Sequence, residues 1–141
     1  MSVKAVTHLN FQGQARAALT FYHSVFGGEL KLFTYAQAGK EGNAADADCI
    51  MWGQVDAPNG FRIMAFDVPA GMPWQAGTNA FYVSLRGETE EEIRMVWDAM
   101  ADGARIAHDL APAPWSPLYG MLTDRFGVTW VVDVIAGAHA A

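Results

Sequence analysis

The sequence predicts an α+β fold made of two strand–helix–strand–strand–strand modules. Three observations carry this. Short apolar runs alternate with polar residues between Gly, Pro, Asn and Asp breaks. Two longer segments carry their apolar residues at helical spacing instead. The same order of elements then occurs twice along the chain.

Residues 3–11, VKAVTHLNF, read as a strand in which Leu9 and Phe11 alternate against His8, Asn10 and Gln12. Gln14 to Phe26 reads as a helix, with Ala18, Leu19, Tyr22, Val25 and Phe26 on one face, and Gly27-Gly28 stops it. A strand, ELKLFTYA (29–36), precedes a polar, small-residue connector, QAGKEGNAADAD (37–48). Strands CIMWGQV (49–55) and FRIMAFDV (61–68) flank the turn APNG. The second module opens with NAFYVSLR (79–86), which places Phe81, Val83 and Leu85 on one face. Thr89 and Glu92 form a capping box, and Ile93, Val96, Trp97 and Met100 make the apolar stripe of the helix that Gly103 ends. Strands RIAHDL (105–110), LYGMLT (118–123) and TWVVDV (129–134) complete it, the last two joined by the turn Asp124-Arg125-Phe126-Gly127. A shift of 74 pairs Gly13 with Gly87 and Leu19 with Ile93, and a shift of 67 pairs Gly53 with Gly120 and Gly60 with Gly127.

At 141 residues the chain reads as a single domain, with module one at about 3–68 and module two at about 79–134. Hydrophobic residues make up 52% and charged residues 17%, and the net charge is −6. No basic cluster occurs, so nucleic acid is not an expected partner. The start MSVKAV has no signal-peptide core, and no apolar run reaches the length of a membrane span. One cysteine, Cys49, fits a reducing compartment, and the expected location is the cytoplasm without membrane contact. No nucleophile elbow, GxGxxG or Walker loop is present.

Two segments, FQGQARAALTFYHSVFGGEL (11–30) and W…GMLTDRFGVTWVVDV (115–134), resemble the PhnB-like branch of the vicinal oxygen chelate superfamily, which includes glyoxalase I, extradiol dioxygenases and bleomycin-binding proteins. The resemblance covers essentially the whole chain. It implies a glyoxalase-like domain whose eight strands curl into a U-shaped cleft. It also implies a divalent metal held by His and Glu side chains, one from each of four equivalent strands, acting as a Lewis acid on substrate oxygens.

Carried onto this chain, those four positions fall on Thr7, its repeat partner Phe81 (or Ala80), Val131 and Met64. None is a good metal ligand. A one-residue slip would turn His8 into the cleft, and alternation favours it, since Leu9 and Phe11 want the helix side. The same slip offers only Tyr82 and Ala65 or Val132 as companions, with Asp67 and Asp133 near the strand ends. The expectation is therefore no metal site and no cofactor.

No catalytic residue is identified; His8 is the one candidate for chemistry, as base, hydrogen-bond partner or lone ligand, against a plain polar strand residue. His23 and His108 read as surface residues, and His139 belongs to an Ala/Gly tail. The expected pocket uses His8, Trp52, Gln54, Asp67, Trp115 and Tyr119, with Trp115 on a proline-stiffened loop at one lip and Trp130 and Met121 assigned to the core. The 37–48 segment reads as an ordinary connector or as a lid, and Asp46 and Asp48 are given no metal role. The expected function is binding of a small molecule in an apolar cleft without the usual metal, by a homodimer. The alternative is a metal-dependent lyase, transferase or dioxygenase with an atypical site around His8. Some relatives are called demethylubiquinone methyltransferases, yet nothing in the sequence looks like a site for a nucleotide methyl donor.

Overall fold

The computed structural model describes residues 2–39 and 44–136. Gly42 of the connector and His139 of the tail lie outside them. The chain divides into two compact units, residues 1–76 and 77–141. Each holds one four-stranded sheet and one helix.

In the first unit, β1 (Thr7–Phe11), α1 (Ala15–Phe26), β2 (Glu29–Thr34), β3 (Ile50–Asp56) and β4 (Arg62–Asp67) form a sheet ordered β1-β4-β3-β2. In the second, β5 (Val83–Gly87), α2 (Glu90–Ala101), β6 (Arg105–Ala113), β7 (Ser116–Thr123) and β8 (Thr129–Val134) form a sheet ordered β5-β8-β7-β6. The repeated βαβββ order is thus matched by a repeated strand order. In both sheets the first and last strands of the module pair in parallel and the others antiparallel.

One face of each sheet is buried under its helix. Leu9, Phe11, Ile63, Ala65 and Val55 meet Ala15, Ala18, Leu19 and Tyr22 of α1. Leu118, Leu122, Trp130, Val132 and Val134 meet Ile93, Trp97 and Met100 of α2. At equivalent places the helix rests on a glycine. A Cβ on Gly53 would enter the Leu19 side chain, and one on Gly120 would stand 2.8 Å from the Trp97 ring. The Gly53–Gly120 pair of the 67-residue repeat therefore marks a close approach of helix and sheet in each unit.

The helices start in different ways. Thr89 accepts from the Glu92 N–H at 3.2 Å and donates its hydroxyl to the Glu92 carboxylate at 2.8 Å, the capping interaction expected from sequence. Gln14, at the start of α1, caps nothing with its side chain. That end is held from the sheet: the Gly13 and Ala15 N–H groups donate to Asp67 Oδ1 at 2.8 and 3.0 Å. The Ile50 N–H donates to Oδ2 at 2.9 Å, so one carboxylate ties a helix N-terminus to two strands.

Several boundaries differ from expectation. The first strand begins at Thr7 and the fifth at Val83, so residues 3–6 and 79–82 are not strand. Asn79 has φ +54° and Phe81 is exposed, which breaks the alternation predicted through them. The expected loop APAPWSP is instead mostly strand: β6 runs to Ala113 and β7 starts at Ser116, leaving Pro114 and Trp115 as a two-residue turn. The connector after β2 contains a short 3₁₀ turn, Ala44–Asp46, and Asp46 is buried because its carboxylate accepts from the Ala70 N–H at 3.1 Å. Residues 44–48 are anchored by that bond and by Arg16, which donates to the Asp48 carbonyl at 3.1 Å.

Candidate functional site

The faces turned away from the helices carry the candidate site residues. On the first sheet, β1 pairs with β4 so that His8 lies beside Met64, and Thr7 lies beside Ile63 on the helix side. Gln54 pairs with Met64, and Lys31 pairs with Gln54. This gives one row across the open face: His8, Met64, Gln54 and Lys31. Two residues along each strand, Asn10, Phe66, Trp52 and Phe33 share the same face by alternation. The His8 ring meets Phe66 edge-on at 5.3 Å, and Phe33 meets Trp52 at 6.1 Å.

The segment that follows β4 borders this face. Trp74 donates its indole N–H to the Asn10 carbonyl at 3.0 Å, and Gln12 donates to the Pro69 and Met72 carbonyls, each at 3.0 Å. His8 Nδ1 stands 3.0 Å from Asn10 Oδ1. The first unit thus presents an imidazole among aromatic rings.

On the second sheet the same argument gives a row of Ser84, Val131, Met121 and His108. Tyr119 lies on this face opposite Asp133, whose carboxylate is bound by Arg86 at 3.1 and 3.4 Å. Tyr119 also meets His108 edge-on at 5.1 Å and Trp115 at 5.2 Å. Trp115 sits 58% exposed at the β6–β7 turn. His108 Nδ1 lies 2.8 Å from the Asp109 carbonyl, which only accepts, so Nδ1 carries the proton.

Of the six expected pocket residues, His8, Trp52 and Gln54 share the open face of the first sheet, and Tyr119 and Trp115 adjoin each other in the second unit. Asp67 is the correction. It points to the helix side, is 2% exposed and has both carboxylate oxygens engaged by backbone N–H groups, so it is a structural residue. Met121, expected in the core, faces away from α2, whereas Trp130 is fully buried and donates its indole N–H to Asp124 at 2.9 Å. Sequence reasoning left out Phe66 and Trp74 and read His108 as a surface residue. Alternation from Met64 would have found Phe66; nothing local signals the fold-back of Trp74.

Pairing also corrects the four positions implied by the superfamily's metal site. Leu9 pairs with Ala65 and Leu85 with Val132, so the repeat partner of His8 is Ser84, not Phe81, Ala80 or Tyr82. The equivalent set becomes His8, Met64, Ser84 and Val131. In neither unit do these positions supply more than one nitrogen or oxygen ligand, whereas a hard or borderline divalent ion needs several. Among the described residues no three His, Cys, Asp or Glu gather into a potential metal site.

Cys49 is not a poised nucleophile. Burial first, and then the carboxylates of Asp67, Asp46 and Asp48, push its thiol above the ordinary value, with Arg16 opposing. Burial, followed by Asp46, Asp67 and Cys49, likewise pushes the Tyr35 phenol up. Both groups are neutral when protonated, so as pH rises the unfolded chain releases these protons first. Their contribution to stability is complete below the unfolded values, about 8.5 for Cys and about 10 for Tyr, and is lost as pH rises through the folded ones. Iodoacetamide alkylation followed against pH should therefore show a later midpoint for the folded chain than for the urea-unfolded chain. Coincident midpoints would contradict the assignment.

Among the described residues no helix is long and apolar enough to cross a membrane. A family model described as 3-demethylubiquinone-9 3-methyltransferase matches residues 3–133. A crystal structure of a Pseudomonas aeruginosa protein superposes with a TM-score of 0.82 at 32% identity, covering 95% of this chain and 98% of that one. A putative 3-demethylubiquinone-9 3-methyltransferase, PhnB protein, from Bacillus cereus has a TM-score of 0.69 at 27% identity, covering 94% and 99%. Protein YjdN of Escherichia coli is 23% identical over 139 residues, covering 91% of this chain and 92% of its own length. A glyoxylase/bleomycin resistance protein/dioxygenase domain from Frankia, 10% identical with a TM-score of 0.65 over 95% of this chain and 98% of that one, shares the fold. The chain belongs to the 3-demethylubiquinone-9 3-methyltransferase family, under which the similar PhnB protein is also described, and it has the fold of the glyoxalase/bleomycin resistance/dioxygenase proteins.

Proposed function

We propose that this protein binds a small, flat, largely apolar molecule on the open face of its first sheet, without the metal usual in the superfamily it resembles. The observation that carries the reading is the residue set at the four equivalent positions, His8, Met64, Ser84 and Val131. Within each unit it supplies apolar contact and one hydrogen-bonding group where metal chemistry would need several anionic or imidazole ligands. On the open face of the first sheet Phe66, Trp52 and Phe33 offer ring surfaces and Gln54 adds a polar contact, and the second unit by itself carries the rings of Tyr119 and Trp115. Pockets for small molecules use this mixture of rings with a few oriented polar groups. Shape and hydrogen bonds suffice for sequestration or sensing. The methyl transfer in the family's name gains no support from the sequence, which has no GxGxxG loop.

A homodimer in the cytoplasm belongs to the same proposal. Each four-stranded sheet leaves the outer edges of its two end strands unpaired within that sheet, and a second copy is a common way to cover such edges.

A panel of bicyclic aromatic fragments screened by ligand-observed NMR in EDTA tests the reading. Binding should survive the chelator and weaken about fivefold or more in Trp52→Ala, since removing a ring contact of this kind costs about 1–3 kcal/mol. Binding that the chelator abolishes, or no binding across the panel, would sink it.

A further inference from the structure

We infer that Asn10 fixes the proton of His8 on Nδ1, so that His8 offers Nε2 as a hydrogen-bond acceptor and selects flat aromatic ligands that carry an O–H or N–H donor. The inference rests on the open-face reading above and deepens it. Asn10 Oδ1 is 3.0 Å from His8 Nδ1, and a carboxamide oxygen only accepts, so the hydrogen lies on Nδ1. In the neutral ring Nε2 then holds a lone pair. Two further contacts hold this geometry. Asn10 is anchored through its own carbonyl, which accepts the Trp74 indole N–H at 3.0 Å, and the His8 ring is braced edge-on against Phe66 at 5.3 Å.

The neighbours define the ligand. Met64 flanks His8 in the pairing, and Phe66 and Trp52 lie one step along the same face, so the surface around the imidazole is apolar and ring-lined. A ligand filling it buries a flat hydrocarbon and has one acceptor to satisfy. A donor at its rim meets that acceptor; an ether or a methyl group leaves it unpaired, and an unpaired buried acceptor weakens binding. Asn10 is thus a positioning residue, and His8 is the group that touches the ligand.

Two measurements test this. Long-range ¹H–¹⁵N spectra taken above the His titration range should show His8 with a protonated Nδ1 and a bare Nε2, the tautomer that His108 also adopts through the Asp109 carbonyl and that serves as internal reference. In Asn10→Ala the His8 signals should revert to the Nε2–H form that free imidazoles prefer, with His108 unchanged. The probes are 2-naphthol and its methyl ether. Wild type should prefer the naphthol by about three- to tenfold, one hydrogen bond's worth, and the preference should vanish in His8→Phe and shrink in Asn10→Ala. Equal binding of both probes to wild type, or a bare Nδ1 on His8, would overturn the inference while leaving the apolar binding face standing. Failure of both probes to bind would overturn both.

Discussion

Replacing Asp67 by Ala should cost about 4 kcal/mol or more of folding stability, the largest effect expected of any polar substitution in this chain. The side chain is 2% exposed and accepts from three backbone N–H groups, those of Gly13, Ala15 and Ile50, at 2.8 to 3.0 Å. Each bond to a carboxylate contributes about 1.5–3 kcal/mol, and each N–H abandoned out of water adds a desolvation cost. The first two donors open α1, whose own cap residue, Gln14, contributes no side-chain bond, so nothing local replaces the carboxylate. Asp67 also sits at the end of β4, where the Val68 N–H donates to the Phe11 carbonyl and the Tyr35 hydroxyl donates to the Asp67 carbonyl, each at 2.6 Å. Asp67→Asn should lose less, about 1–3 kcal/mol, because it keeps one acceptor oxygen but turns an NH₂ toward a backbone donor. Urea unfolding midpoints at constant slope read both values. A loss below about 1 kcal/mol for the alanine variant would show that the start of α1 does not depend on this carboxylate.

The second large effect belongs to one glycine of a pair. Gly27 and Gly28 both have positive φ, at +72° and +86°, and both follow α1. A Cβ on Gly27 meets nothing within 4 Å, so Gly27→Ala pays only the backbone penalty of its φ +72°, ψ −158° conformation, about 1–3 kcal/mol. A Cβ on Gly28 would run into the Asp56 carbonyl oxygen and the Ala57 Cα. Those are backbone atoms at the end of β3 and cannot rotate away as a side chain can. Gly28→Ala should therefore cost about 2–3 kcal/mol more than Gly27→Ala, through strain between β2 and β3. Thermal or urea unfolding of the two variants side by side checks the difference, and equal losses would mean that the close approach imposes no strain.

The Gly27-Gly28 pair shows what the sequence displays well. A helix stop made of two glycines is a local signal, as are the capping box at Thr89 and the DRFG turn, where Asp124 Oδ1 accepts from the Phe126 and Val128 N–H groups at 2.9 and 3.0 Å. Both modules and the helix stripes followed from such signals. Asp67 shows what is hidden. In sequence it is a polar residue ending a strand, and its partners lie 54, 52 and 17 residues away, so its role depends on tertiary closure.

The repeat itself misled at one place. A shift of 74 aligned the glycines before the helices, yet the pairings Leu9–Ala65 and Leu85–Val132 relate the first strands by 76. β1 ends at Phe11 with α1 starting at Ala15, whereas β5 ends at Gly87 with α2 starting at Glu90. A slide of two residues keeps the same face of the strand outward but changes which residue stands at the equivalent position. Ser84 therefore stands where Phe81 or Tyr82 was expected. The loop around Trp115 was drawn too long for a different reason: three prolines in APAPWSP argued for a loop, but Pro112 and Pro117 are accommodated within β6 and β7, which leaves Pro114 and Trp115 at the turn.

Metal content tests the central claim most directly. The protein is purified without chelator or nickel resin, loaded separately with Ni, Mn, Zn and Fe(II), desalted, and its metal measured per chain. The set His8, Met64, Ser84 and Val131 predicts no stoichiometric retention of any of the four, and no difference between wild type and His8→Ala. Near-stoichiometric retention that His8→Ala abolishes would contradict the account and make the metal-dependent enzyme the leading reading.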